Sequence, residues 1–371
     1  LFLSAAAVLD LHHFARVCYA LVLAATGLRA GGDAPVAVLI PEPSADRWMY
    51  FHNGTAGSRA TASTFSALPL PAGASFFADR AGQFIIRFNT IAAGIPAGMG
   101  PENYDVGKLI LTAVIAENTG VLYDPTSDPP ASHQSGGVED PDPGRPIEIH
   151  GTGFRGGFTA TTFQENSPFG MWDPAGANAF ALGFDPAGAA RDVSNNVTDG
   201  FEPDPWAIGT VRTRAPGDSL EIHDKLEFRI NLALPGVADY VRQSLNRGFI
   251  WLTITSLHST TQQGGSGYPV FFTREHPEHL LFQDVAATME IEYALPLRIA
   301  SFSRESAGGA VSLAWNGSPG FRYTVETQTG LSESDWTPLG TFTTAVPAPL
   351  TWSGVSTVPR AFFRITRTSM P

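Results

Sequence analysis

Residues 123–146, YDPTSDPPASHQSGGVEDPDPGRP, crowd five carboxylates into one short segment: Asp124, Asp128, Glu139, Asp140 and Asp142. Carboxylate oxygens are hard donors, and calcium takes six to eight oxygen ligands. The segment is therefore a candidate site for structural calcium. Its spacing is not that of an EF-hand loop, and a solvated loop rich in Pro and Gly is the alternative.

A second chemistry lies in aromatic side chains set among turn residues. Trp48 and Tyr50 occur in ADRWMYFHNGTAGS, Trp172 in MWDPAGAN, Trp206 in EPDPWAIG, and Tyr268 follows QQGGSG. Flat apolar ring faces on loops are what the apolar faces of pyranose rings stack on. The alternative is that these rings plug the open end of a β-sandwich core.

Catalytic motifs are not found. His276 and His279 form the tightest histidine pair, HPEH, but Pro277 and the preceding strand argue for a surface loop rather than a metal-binding helix. There is no HExxH, no GxSxG elbow and no phosphate loop. Glu148, Glu221, Glu227, Glu290 and Glu292 fall on strand-like segments, where outward-facing Glu is ordinary polarity. A paired-carboxylate glycan-active site stays open, because separation in sequence does not report separation in space.

The elements that must position these residues are strands. Residues 83–89 (QFIIRFN) and 108–115 (KLILTAVI) read as buried strands joined by a link rich in Gly and Pro. Residues 36–40, 146–150, 249–257, 269–273 and 287–293 read as further strands. One helix is expected, 236–246, with Val237, Tyr240, Val241 and Leu245 on one face and Gly248 as its stop. After residue 296 the composition changes to short regular strands, which marks a second domain.

Composition agrees with a loop-rich β protein. Of 371 residues 16% are charged, against ~25% in typical soluble domains, and there are 38 Gly and 29 Pro. A hydrophobic fraction of 43% argues against disorder. The formal net charge of -12 excludes a basic footprint for nucleic acid and disfavours an anionic membrane surface. The single cysteine, Cys18, rules out an intramolecular disulfide and favours a bacterial source. Arg16, the apolar run 17–28 and the small residues after it follow the plan of a signal peptide, so residues 1–33 read as signal peptide and leader. That run is too short for a spanning helix, which needs ~20 residues, and no span is expected in the mature chain.

Two resemblances bear on the fold. Asp46, the loop 53–58, Arg87-Phe88-Asn89 and residues 109–113 resemble DNRLRE-type domains of secreted proteins, over residues 36–116. That resemblance implies a jelly roll, the fold of many carbohydrate-binding modules. Residues 311–315, 323–326, Leu331, 335–339 and 362–365 are similar to fibronectin type III-like modules appended to exported bacterial proteins. That resemblance implies a spacer or contact unit.

The sequence thus predicts an all-β protein: a jelly-roll-like β-sandwich with long loops over 34–294, then a fibronectin-like β-sandwich over 297–368. The expected function is non-catalytic binding outside the cell or at its surface, with polysaccharide or a cell-surface glycan as ligand. The alternatives are a structural or adhesive protein that contacts other proteins, and a glycan-active enzyme on a jelly-roll scaffold.

Overall fold

The computed structural model describes residues 35–67, 78–133, 140–171, 176–260, 267–282, 284–305, 309–329, 336–346, 348–355 and 361–370. The expected leader, Trp172 and Glu139 lie outside these residues. The chain forms two compact units, the first ending at Leu295 and the second beginning at Pro296.

In the first unit the elements run in this order: β1 (Val36–Ile40), β2 (Ala45–Met49), β3 (Thr61–Ser63), β4 (Gln83–Asn89), β5 (Asp105–Val114), β6 (Ile147–Phe154), β7 (Ala179–Phe184), β8 (Ala190–Asp192), β9 (Ala207–Ile208), β10 (Lys225–Arg229), α1 (Val237–Arg247), β11 (Phe249–Ser256), β12 (Val270–Phe272), α2 (Pro277–Phe282) and β13 (Thr288–Ala294). One antiparallel sheet has the order β1-β13-β5-β10; a second has the order β2-β4-β11-β6-β7-β8, with β9 added to β6; and β12 pairs with β3 in a small two-stranded sheet. The first strand pairs with the last, and β4-β11-β6-β7 interleaves with β1-β13-β5-β10. This is the strand order of a jelly roll, with β2 as an extra edge strand.

Alternation explains the layers. Phe84, Ile86 and Phe88 of β4, with Ile250, Leu252 and Ile254 of β11, face Leu109, Leu111, Met289 and Ile291 of the opposite sheet across one core. The other face of the larger sheet is covered too. Ile85 and Trp251 point there and meet Phe163, with Phe158 and Phe169 packed around them. That is why β11 is apolar on both faces: the Gly- and Phe-rich segment after β6 folds over it.

Helix α1 turns Val237, Val241 and Leu245 into the main core. It ends at Gly248, whose φ of 90° is left-handed backbone that suits glycine. Tyr240 fastens the helix by donating its hydroxyl to the Trp251 carbonyl at 2.7 Å and accepting the Thr152 N–H at 3.1 Å. The HPEH segment departs from the sequence reading. It forms α2, with Pro277 at the first helical position, where its missing N–H costs nothing. Among the described residues no helix is long and apolar enough to cross a membrane.

The second unit holds β14 (Ile299–Arg304), β15 (Ala310–Gly317), β16 (Phe321–Gln328), β17 (Thr337–Thr343), β18 (Ala348–Val355) and β19 (Phe362–Ser369). They form two three-stranded antiparallel sheets, β14-β15-β18 and β17-β16-β19. Leu313 and Trp315 of one sheet meet Tyr323 and Val325 of the other in a small core. Trp336 is half-buried, with the Arg364 guanidinium 4.3 Å from its ring centroid.

Candidate functional site

Antiparallel pairing brings the end of β2, the start of β4, the end of β11, the end of β5 and the start of β6 to one end of the first sandwich. The residues with chemical potential gather in the connections there. They form an aromatic cluster, a carboxylate cluster and a buried polar network.

The aromatic cluster joins three of the five aromatic residues singled out in sequence. Trp48 stacks on Tyr50 with ring centroids 4.8 Å apart and planes at 22°. Phe65 stands edge-on to Tyr50 at 5.1 Å and contacts Tyr268 at 5.2 Å. His52 adds an edge contact to Tyr50 at 5.5 Å. Trp48, Tyr50 and Tyr268 are each half-buried, so each keeps part of its surface in solvent. Burial and the neighbouring Tyr268 phenol raise the Tyr50 hydroxyl above its ordinary range.

Trp206 is a correction. It is 1% exposed and belongs to the main core. It stacks on Phe184 at 6.0 Å and meets Tyr240 edge-on at 4.9 Å. The turn-like flanks hide the two-residue strand β9, which pairs with β6 and plants the indole over Gly151. No ring face is left for a ligand.

The carboxylate cluster joins three of the five acidic residues. Asp124, Asp128 and Asp142 each present an oxygen within 4.8 Å of the others. The Thr126 N–H donates to Asp124 Oδ1 at 2.8 Å. The Thr126 hydroxyl lies 2.7 Å from that oxygen and 2.6 Å from Asp142 Oδ2. Burial, and then the Asp124 charge, raise the Asp128 carboxyl to about 7, against the lowering effect of Arg145. Asp140 stays outside the trio and accepts the Asp142 N–H at 3.3 Å.

Beside it lies a buried network that the sequence reading did not assemble. Arg80 pairs with Glu148, donates Nε–H to Asn196 Oδ1 at 3.1 Å and donates from Nη1 to Thr255 Oγ1 at 3.1 Å. His150 Nε2 lies 3.5 Å from the Glu148 carboxylate. Burial works against charge on Glu148, but Arg80 and His150 outweigh it and hold the carboxyl at about 2. Burial pushes His258 down to about 3, with Arg145 adding to the effect. His133 is also held near 3, by burial and then by Arg145 and Arg80. These histidines are neutral at pH 7.

A second acidic group was also missed: Asp46, Glu165 and Glu275. Arg274 ties it together. Its main-chain N–H donates to Asp46 Oδ2 at 3.0 Å, its Nε to Glu275 Oε1 at 2.8 Å and its Nη2 to Glu165 Oε2 at 3.1 Å. Burial first, then the Glu275 charge, raise the Asp46 carboxyl well above its ordinary range. Glu275 and Arg274 line a cavity of about 520 Å³ with Glu42, Ser58 and His279. Asp46 itself is fully buried, so only Glu165 and Glu275, with side chains 18% and 20% exposed, keep carboxylate surface in this group. The histidines of the HPEH segment are spoken for as well. His276 Nδ1 accepts the Glu278 N–H at 3.1 Å, and His279 Nδ1 accepts the Ala286 N–H at 3.3 Å.

No family model, no curated protein and no solved structure matches this chain.

Proposed function

We propose that the first domain is a non-catalytic carbohydrate-binding module that acts outside the cell or at its surface. The observation that carries this reading is the convergence of Trp48, Tyr50 and Tyr268 around Phe65 at one end of the sandwich. Clustered aromatic rings that keep part of their surface in solvent give a sugar ring an apolar platform at little cost in side-chain entropy. His52 packs edge-on against Tyr50, and the Arg59 guanidinium lies over the Trp48 ring, 5.9 Å from its centroid. The signal-peptide pattern of residues 1–33 supports the location.

The test is binding of the full chain to a glycan array and to insoluble polysaccharides. Tyr50→Ala and Tyr268→Ala each lower retention about tenfold, the value of one stacking contact, while thermal unfolding shows both variants folded. Retention unchanged in both variants rejects the platform.

One observation favours a second reading, an adhesive protein that contacts other proteins. Leu280, Leu281 and Phe282 on α2 are 68%, 74% and 69% exposed, an apolar run of the kind that marks contact surfaces. A blank glycan array, together with self-association that Leu281→Asp abolishes, selects this reading.

A further inference from the structure

We propose that Asp124, Asp128 and Asp142 form a calcium site that pins the connection between β5 and β6. This inference stands apart from the carbohydrate reading and is tested without a sugar.

The first argument is unmet bonding capacity. The Asp128 side chain is 1% exposed, yet neither of its carboxylate oxygens has a hydrogen-bond partner. Asp124 Oδ2 and Asp142 Oδ1 are also buried without partners. Buried carboxylate oxygens left unpaired are costly, and a native structure meets them with donors or a metal. One oxygen from each of Asp124, Asp128 and Asp142 meets the others within 4.8 Å.

The second argument is charge. Three carboxylates meet there, and the cations facing them are few. Arg145 Nη1 is 3.6 Å from Asp128 Oδ2, and His133 Nε2 is 3.8 Å away, both too long for hydrogen bonds. His133 also contacts the Arg145 guanidinium through Nδ1, so it brings no strong compensation of its own. One guanidinium faces the three carboxyl groups, and one divalent cation would balance them once all three are ionised. The single Thr126 hydroxyl proton cannot satisfy both Asp124 Oδ1 and Asp142 Oδ2, which adds to the excess of acceptors.

The third argument is geometry and donor type. Calcium–oxygen distances are about 2.3–2.6 Å, so oxygens on one coordination sphere lie up to about 5 Å apart. The trio offers oxygens within 4.8 Å of one another. An all-oxygen set selects a hard cation over zinc or copper. Three carboxylates with unpartnered oxygens suit the flexible, many-ligand shell of calcium better than the rigid, water-rich octahedron of magnesium. An ion there would tie together Asp124 and Asp142, both in the connection between the end of β5 at Val114 and the start of β6 at Ile147.

The experiment uses the full chain, stripped with chelator, then titrated with calcium chloride or magnesium chloride while heat and thermal unfolding are measured. Calcium raises the unfolding temperature in a concentration-dependent way, and magnesium at equal concentration raises it less. Asp128→Asn weakens calcium binding at least about tenfold, because a ligand charge is lost. In chelator the same variant is as stable as the parent or more so, because a neutral amide replaces an unpaired buried carboxylate. Asp142→Asn, at the rim, also weakens binding and guards against a folding defect at Asp128. Three results overturn the proposal: no calcium response up to about 10 mM, about tenfold above the weak limit of extracellular modules; an equal response to magnesium; or a calcium response unchanged in both variants.

Discussion

Arg80 and Glu148 form an ion pair inside the end of the first sandwich, with side chains only 2% and 10% exposed. Arg80 lies just before β4 and Glu148 on β6, so the pair joins two strands that are not neighbours in the sheet. Removing one partner leaves the other charge buried. Arg80→Met should therefore cost about 3–5 kcal/mol in urea unfolding, and the double variant Arg80→Met with Glu148→Gln should recover most of it. A loss no larger in Arg80→Met than in the double variant would show that the pair contributes little.

The same pair sets a pH dependence. The Glu148 carboxyl is held at about 2 in the folded protein, against an ordinary value of 4.5. The unfolded chain binds the proton more readily, so this contribution is whole above about pH 4.5 and is lost as the pH falls toward 2. Glu148→Gln should flatten that part of the stability curve. An acid limb unchanged in the variant would assign it to other groups.

Asp46 has the opposite sign. Its folded carboxyl is raised, first by burial and then by Glu275, so the folded state holds the proton where the unfolded chain has released it. Stability from this group is present below the ordinary carboxylate range and declines as pH rises through it. Asp46→Asn keeps the neutral shape and should make the protein relatively more stable above pH 5 than below pH 4. Measured unfolding free energies at the two pH values decide the matter.

Gly151 is predicted to be intolerant of a side chain. A Cβ there would sit 2.4 Å from the Trp206 ring. Gly151→Ala should destabilise by about 1–3 kcal/mol, as overpacking of a filled core does. Trp206→Ala should cost about 3–5 kcal/mol. If Trp206 is only a core residue, retention on carbohydrate by its folded fraction should not change.

The sequence made much of this fold legible. β1 is read to the residue, and the runs around β4, β5, β11 and β13 carry the apolar content that both sheets need. The acidic trio was legible because its members lie within one segment, so a local count of carboxylates was enough. The Asp46 group was not legible. Glu165 and Arg274 lie 119 and 228 residues from Asp46, and only the pairing of β2 with β4 and the path of the chain after β6 and β12 bring them together. The flanks of Trp206 fit a loop ring or a core plug, for a local reason. Pro203, Asp204 and Pro205 look like an exposed turn, but Ala207 and Ile208, just after Trp206, add a strand to β6. The aromatic platform lay between these cases. Trp48, Tyr50 and Tyr268 were each visible as aromatics near turns, while Phe65, the ring that joins them, gave no signal of its own.

The pairing of β1 with β13 has a kinetic consequence. Val36 lies opposite Tyr293, so the first strand has no permanent neighbour until nearly the whole domain exists. Contacts of such long range slow folding, because loop-closure entropy must be met before they form. A nascent chain stopped short of Thr288 would carry β1 and β5 with unpaired edges, so completion of this sheet waits on synthesis of its last strand. The domain is thus built to complete itself late, after its final strand is released, rather than piece by piece as it is made.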